Sequence, residues 1–102
     1  MLMTLENEPS ESYSYSNLGA GLLGYTLGLT QGTSLRELLQ ERVFDRYGMT
    51  ASFTRSVDAG ERLVVGLGAD GNPTPNWDFD VLAGGGCLLS TTEDLARFAK
   101  AQ

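Results

Sequence analysis

Polar and acidic residues fill positions 1–12 around Pro9 with no apolar period, which predicts an arm or loop. From Asn17 onward Leu18, Leu22, Leu23, Leu27 and Leu29 recur at helical spacing. They predict a helix over 17–30, capped by Ser16 or Asn17 and stopped at Gly32. Gly19, Gly21, Gly24 and Gly28 lie inside it, and at about 0.8–1 kcal/mol per glycine relative to alanine the deficit is about 3–4 kcal/mol. Gly21, Gly24 and Gly28 fall near one face, so another element is expected to approach closely there and offset that deficit. A second helix is predicted over 34–47. Ser34-Leu35-Arg36-Glu37 has the capping-box form, Leu35, Leu38, Leu39, Arg42, Val43 and Tyr47 share a face, and Gly48 supplies a left-handed stop.

Beyond Gly48 the pattern shortens. Residues 51–58 predict a brief strand around Ser52-Phe53-Thr54, and the β-branched run Leu63-Val64-Val65-Gly66-Leu67 predicts extended chain. Asp70-Gly71 then marks the turn of a hairpin over 62–75. Pro73 and Pro75 exclude a central strand, so 72–80 is expected to be an ordered loop anchored by Trp77 and Phe79. After Gly84-Gly85-Gly86, Ser90-Thr91-Thr92-Glu93 opens a last helix from about residue 91, with Leu95, Phe98 and Ala99 expected inward. The fold class is therefore α+β, predominantly helical with one small β-hairpin, in a single domain over residues 1–102.

Composition removes whole classes of chemistry. The net charge of −6 is spread along the chain without a basic stripe, which excludes a nucleic-acid partner. No stretch reaches the roughly 18 apolar residues of a membrane span. Histidine is absent, so Ser-His-Asp and Cys-His catalysis and histidine-held zinc are excluded, and no metal or cofactor is expected. Cys87 is alone and sits among apolar neighbours as a packed small side chain. The first residues lack a basic segment followed by a long apolar one, so the chain is expected to be cytoplasmic or to be written without its targeting segment.

What remains for chemistry is Tyr15-Ser16-Asn17. A phenol with an ordinary pKa near 10 acts as a base at neutral pH only where cations stabilise its anion, and an asparagine amide can hold a carbonyl. A second reading makes Asn17 a helix cap and Tyr13 and Tyr15 half-buried anchors. Each other candidate also has two readings. Gly84-Gly85-Gly86 is an anion-binding nest or a steric necessity; Asp78 and Asp80 are paired carboxylates or loop and cap residues; Trp77 stacks on a ligand or anchors the loop.

The order Tyr15-Ser16-Asn17, Leu18-Gly19-Ala20-Gly21-Leu22-Leu23-Gly24, Gly32-Thr33-Ser34-Leu35-Arg36-Glu37-Leu38-Leu39 and Val43-Phe44-Asp45-Arg46-Tyr47-Gly48-Met49-Thr50 resembles the class C β-lactamase-like serine hydrolases. Pro75-Asn76-Trp77-Asp78-Phe79, Gly84-Gly85-Gly86 and Ser90-Thr91-Thr92-Glu93-Asp94-Leu95-Ala96-Arg97-Phe98 continue the likeness, which covers roughly residues 9–102. That family also includes penicillin-binding D-alanyl-D-alanine peptidases and esterases. The resemblance implies the helical region of a β-lactamase/transpeptidase-like fold, with Tyr15 as the proton-transfer residue and Asn17 as the contact to the substrate's amide carbonyl. In the family these meet an S-x-x-K serine and a K-T-G strand. No serine here has a lysine three residues on, and Lys100 is followed by Ala101-Gln102. The serine is thus expected before Met1 and the strand after Gln102, and the chain alone is expected to be inactive toward β-lactam, D-Ala-D-Ala peptide or ester. Its partners would be those flanking segments, or another copy of itself in the alternative of a free-standing assembly module pairing through the glycine-rich helix. A complete relative is expected outside the cytoplasm, periplasmic or secreted.

Overall fold

In the computed structural model, residues 4–102 are described. Helix α1 (Asn17–Gln31) begins at Ser16, whose extended backbone and hydroxyl cap it, and ends at Gly32, left-handed at φ 67°. Helix α2 (Leu35–Leu39) starts with the full capping box, Ser34 Oγ accepting from the Glu37 N–H and the Glu37 carboxylate accepting from the Ser34 N–H. The predicted single helix over 34–47 is a composite: a π-helical turn (Gln40–Phe44) joins α2 to a last turn, α3 (Asp45–Tyr47), which Gly48 stops at φ 67°. Phe44 and Met49 at its end are buried and form the small apolar centre, with the Met49 N–H donating to the Phe44 carbonyl at 2.8 Å.

Around 51–58 the expectation is corrected. Phe53 forms a single antiparallel bridge with Leu89, each N–H donating to the other's carbonyl at 2.8 Å, and then the chain turns into α4 (Ser56–Ala59) and a 3₁₀ turn (Gly60–Arg62). The helix wins because Asp78, from a distant loop, accepts from the Ser56 N–H at 2.9 Å and from its hydroxyl, supplying a cap that local sequence lacks.

The hairpin exists but is short: β1 (Gly66–Leu67) pairs antiparallel with β2 (Pro73–Thr74) in the register Gly66↔Thr74, Leu67↔Pro73. A two-stranded ribbon has only edges, so Pro73 is tolerated. Gly71 at φ 81° and the Asp70 carboxylate, which accepts from the Asn72 N–H at 3.0 Å, close the turn. Val64 and Val65, expected in the extended run, lie exposed ahead of it. Trp77 does not anchor the loop; it is 79% exposed and meets Phe79 edge-on, at 6.5 Å between rings.

A 3₁₀ turn (Ala83–Gly85) lies along the glycine face of α1. A β-carbon at Gly24 would lie 3.1 Å from the Gly84 Cα, one at Gly21 would lie 2.9 Å from Leu82 Cβ, and one at Gly84 would strike the Ala20 carbonyl oxygen. The close approach expected of the glycines is thus made within the chain, and a second copy could reach them only by displacing this turn. Gly84 and Gly85 follow the steric reading.

Helix α5 (Thr92–Ala101) is capped by Thr91, whose hydroxyl accepts from the Asp94 N–H at 3.1 Å. Its inward residue is not the expected one. Leu95, Phe98 and Ala99 are exposed, although the Phe98 ring meets Tyr47 edge-on at 5.6 Å, while Asp94 is 1% exposed. Its Oδ2 accepts from the Ala51 N–H and the Ser52 hydroxyl, both at 2.8 Å, and its Oδ1 accepts from Arg97 at 2.9 Å.

Candidate active site

The way α1 begins decides what the tripeptide can do. An N-cap needs an extended backbone and a short side-chain acceptor, and Ser16 supplies both, its Oγ accepting from the Gly19 N–H at 3.0 Å. Asn17 is therefore the first helical residue and its amide is not used as the cap. Tyr15, one residue before the cap, is 70% exposed, and Tyr13 is 90% exposed, so neither is a half-buried anchor.

Tyr15 and Ser16 line an open hollow of about 770 Å³ bounded by the N-terminal arm and by Leu18 and Leu22 of α1. Its described walls carry the carboxylates of Glu6 and Glu8 and no lysine or arginine.

Asn17 is held from behind by the glycine turn. A β-carbon on Gly85 would lie 3.0 Å from the Asn17 carbonyl oxygen, so only a glycine lets the turn run this close to the start of α1. Gly86, at φ 134°, then turns the chain away toward Cys87. Burial and then the Asp78 charge push the half-buried Cys87 thiol up from its ordinary pKa, which leaves it an inert packed group.

Of the paired carboxylates, Asp78 caps α4 and is held below its ordinary range first by the Ser56 hydroxyl. Asp80 lies at the edge of a second hollow with Arg55 and Phe79. Among the described residues no group of three or more carboxylate or thiol side chains is gathered to hold a metal.

The polar centre around Asp94 was not foreseen. Burial disfavours its ionised form, yet the hydrogen bonds from Ser52, Ala51 and Arg97, and the Arg97 charge, outweigh that and keep the carboxyl below its ordinary range. Ser52 and Ser90 hydroxyls lie 2.8 Å apart beside it, and Arg97 also reaches Glu93 at 2.7 Å. The signal was Thr91-x-x-Asp94, a cap pair one residue beyond the Ser90-x-x-Glu93 that sequence reading chose.

Residues 2–102 match the family model described as Beta-lactamase. Penicillin-binding protein 4 of Amycolatopsis lactamdurans is 31% identical over 99 residues, a match that covers 90% of this chain and 26% of that protein. Among solved structures, a class C beta-lactamase bearing a tyrosine-to-phenylalanine mutation superposes with a TM-score of 0.85 at 21% identity over 97% of this chain and 28% of its own. A beta-lactamase from Sulfitobacter sp. EE-36 gives 0.72 at 27% identity, covering 82% of this chain and 24% of that one. The chain spans about a quarter of the length of the relatives it matches.

Proposed function

The chain belongs to the beta-lactamase family, and from that premise we propose that it is the Y-x-N-bearing segment of an acyl-serine hydrolase, incomplete by itself. In this reading the serine hydroxyl comes from an S-x-x-K segment outside this sequence. It attacks the carbonyl carbon of a β-lactam, a D-Ala-D-Ala peptide or an ester. As the new C–O bond forms and the bond to the leaving nitrogen or oxygen breaks, the serine proton passes by way of the Tyr15 phenol oxygen to the leaving group. The Asn17 side-chain N–H donates to the substrate's amide carbonyl and fixes its orientation.

The observation that carries the reading is the division of labour at the start of α1. Ser16 does the capping, Tyr15 stands 70% exposed beside an open hollow, and Asn17 is left uncommitted by the cap. The anionic walls of that hollow support the need for lysines from the S-x-x-K and K-T-G segments.

Intact mass spectrometry of the 102-residue chain after incubation with penicillin is expected to show no adduct; a stable acyl adduct would end the proposal. Restoring S-x-x-K and K-T-G flanks, in one chain or as added fragments, is expected to yield turnover. In that restored protein Tyr15→Phe should lower kcat by about 10²–10⁴, the range for a proton-transfer group, with little change in fold. A restored protein indifferent to Tyr15→Phe removes the assigned role.

A further inference from the structure

The turn that faces α1 is bonded to itself. The Ala83 N–H donates to the Asp80 carbonyl at 3.2 Å, the Gly85 N–H to the Leu82 carbonyl at 2.9 Å and the Gly86 N–H to the Ala83 carbonyl at 3.2 Å. Ala83 is buried and pins the middle of the turn. A segment held in this way is a stop, not a cushion.

It meets α1 at successive turns of one helix face. A β-carbon on Gly24 would lie 3.1 Å from the Gly84 Cα, one on Gly84 would strike the Ala20 carbonyl oxygen, and one on Gly85 would lie 3.0 Å from the Asn17 carbonyl oxygen and 3.8 Å from Asn17 Cβ. Positions 17, 20 and 24 are three and four residues apart, so these contacts run in line along the helix and fix both its height and its rotation. The last contact falls on Asn17 itself, the first helical residue, whose amide the Ser16 cap leaves unused. Since that amide hangs from the same Cα, its direction follows from the seat.

We propose that Gly85 is a positioning residue for Asn17: without a side chain it lets the turn seat the start of α1 and so aims the Asn17 amide at the carbonyl of an acylamino substrate. The inference rests on the reading of Asn17 given above and adds what holds it. Alanine at Gly85 asks the Asn17 backbone to give by a few tenths of an ångström. Such a shift is small for a helix end and large for a hydrogen bond that must be aimed.

The test uses the protein with its S-x-x-K and K-T-G flanks restored and two p-nitrophenyl esters of equal length. The ester of phenylacetylglycine carries an amide carbonyl, and that of 5-phenylpentanoic acid carries none. Gly85→Ala should cut kcat/KM for the first about three- to tenfold, chiefly through KM, and leave the second within about twofold. In an Asn17→Ala background Gly85→Ala should cost nothing further, because the group it aims is gone. Leu82→Ala, which loosens the same turn where it rests on Gly21, should give the same selective loss and serves if Gly85→Ala does not fold. Equal losses on both esters, no loss on either, or a Gly85→Ala effect that persists without Asn17 overturns the proposal. Tyr15→Phe is the reference and should lower both esters alike. If it lowers neither, or the restored protein turns over neither, the reading of the site falls and this inference with it; if it lowers both and Gly85→Ala shows no selectivity, this inference falls alone.

Discussion

Two kinds of single residue set the tolerances of this chain. The glycines of α1 and its facing turn differ by position, not by type. Gly84→Ala would drive a methyl into the Ala20 carbonyl, backbone that cannot swing aside, and is expected to destabilise by about 1–3 kcal/mol. Gly19→Ala meets Ser16 Cβ at an ordinary 3.4 Å and should be neutral or stabilise by up to about 1 kcal/mol, since alanine is the better helix former. Urea midpoints of the two variants check the pair; similar shifts would contradict the packing described.

Asp94 is the other kind. Its folded-state pKa lies below the ordinary value, so its contribution is complete above the unfolded value near 3.9 and is lost as pH falls through the folded value. Stability is therefore expected to decline below about pH 4. Asp94→Asn, which has no proton to take up, should be less stable at pH 7 and show a flatter acid limb in denaturant titrations. Glu37, Asp58, Asp70 and Asp78 also lie below their ordinary values, held first by hydrogen bonds from Thr33, Arg55, Asn72 and Ser56. They sit in solvent, where such bonds add little.

Among the elements, α1 and α5 are held in opposite ways. The last helix is tied by charge: Arg97 bonds Asp94 and reaches the Gly48 carbonyl at 3.4 Å, joining α5 to the end of α3. The first is tied by shape, its glycine face closed by the 82–85 turn and by Leu35. Its other faces present Leu18, Leu22, Leu23, Tyr25, Leu27 and Leu29 to solvent. A helix apolar on every side belongs in the interior of something larger.

The whole molecule bears the same mark. Its radius of gyration is 16.1 Å, against about 13 Å for a compact domain of this length, and among the described residues only Phe44, Met49 and Ala83 form a buried apolar centre. The chain by itself is expected to bind a dye such as ANS and to unfold with a broad, weakly cooperative transition. Adding the flanking segments should quench the dye and sharpen the transition. A sharp transition without dye binding would show that these faces need no cover.

Both capping signals around α1 and α2, both glycine stops, the hairpin turn, the glycine face and the family likeness were legible in the sequence. They depend on residues within a few positions of one another, or on an ordered run of motifs that any reader of the chain can see. Where side chains point was not. The strand expected at 51–58 gave way to α4 because Asp78, more than twenty residues away, caps Ser56. Asp94 turned inward because Ala51 and Ser52 offered donors from across the fold, whereas Trp77 lies largely exposed. Local bonding is written in neighbouring residues, whereas burial is a property of partners that only the folded chain brings together.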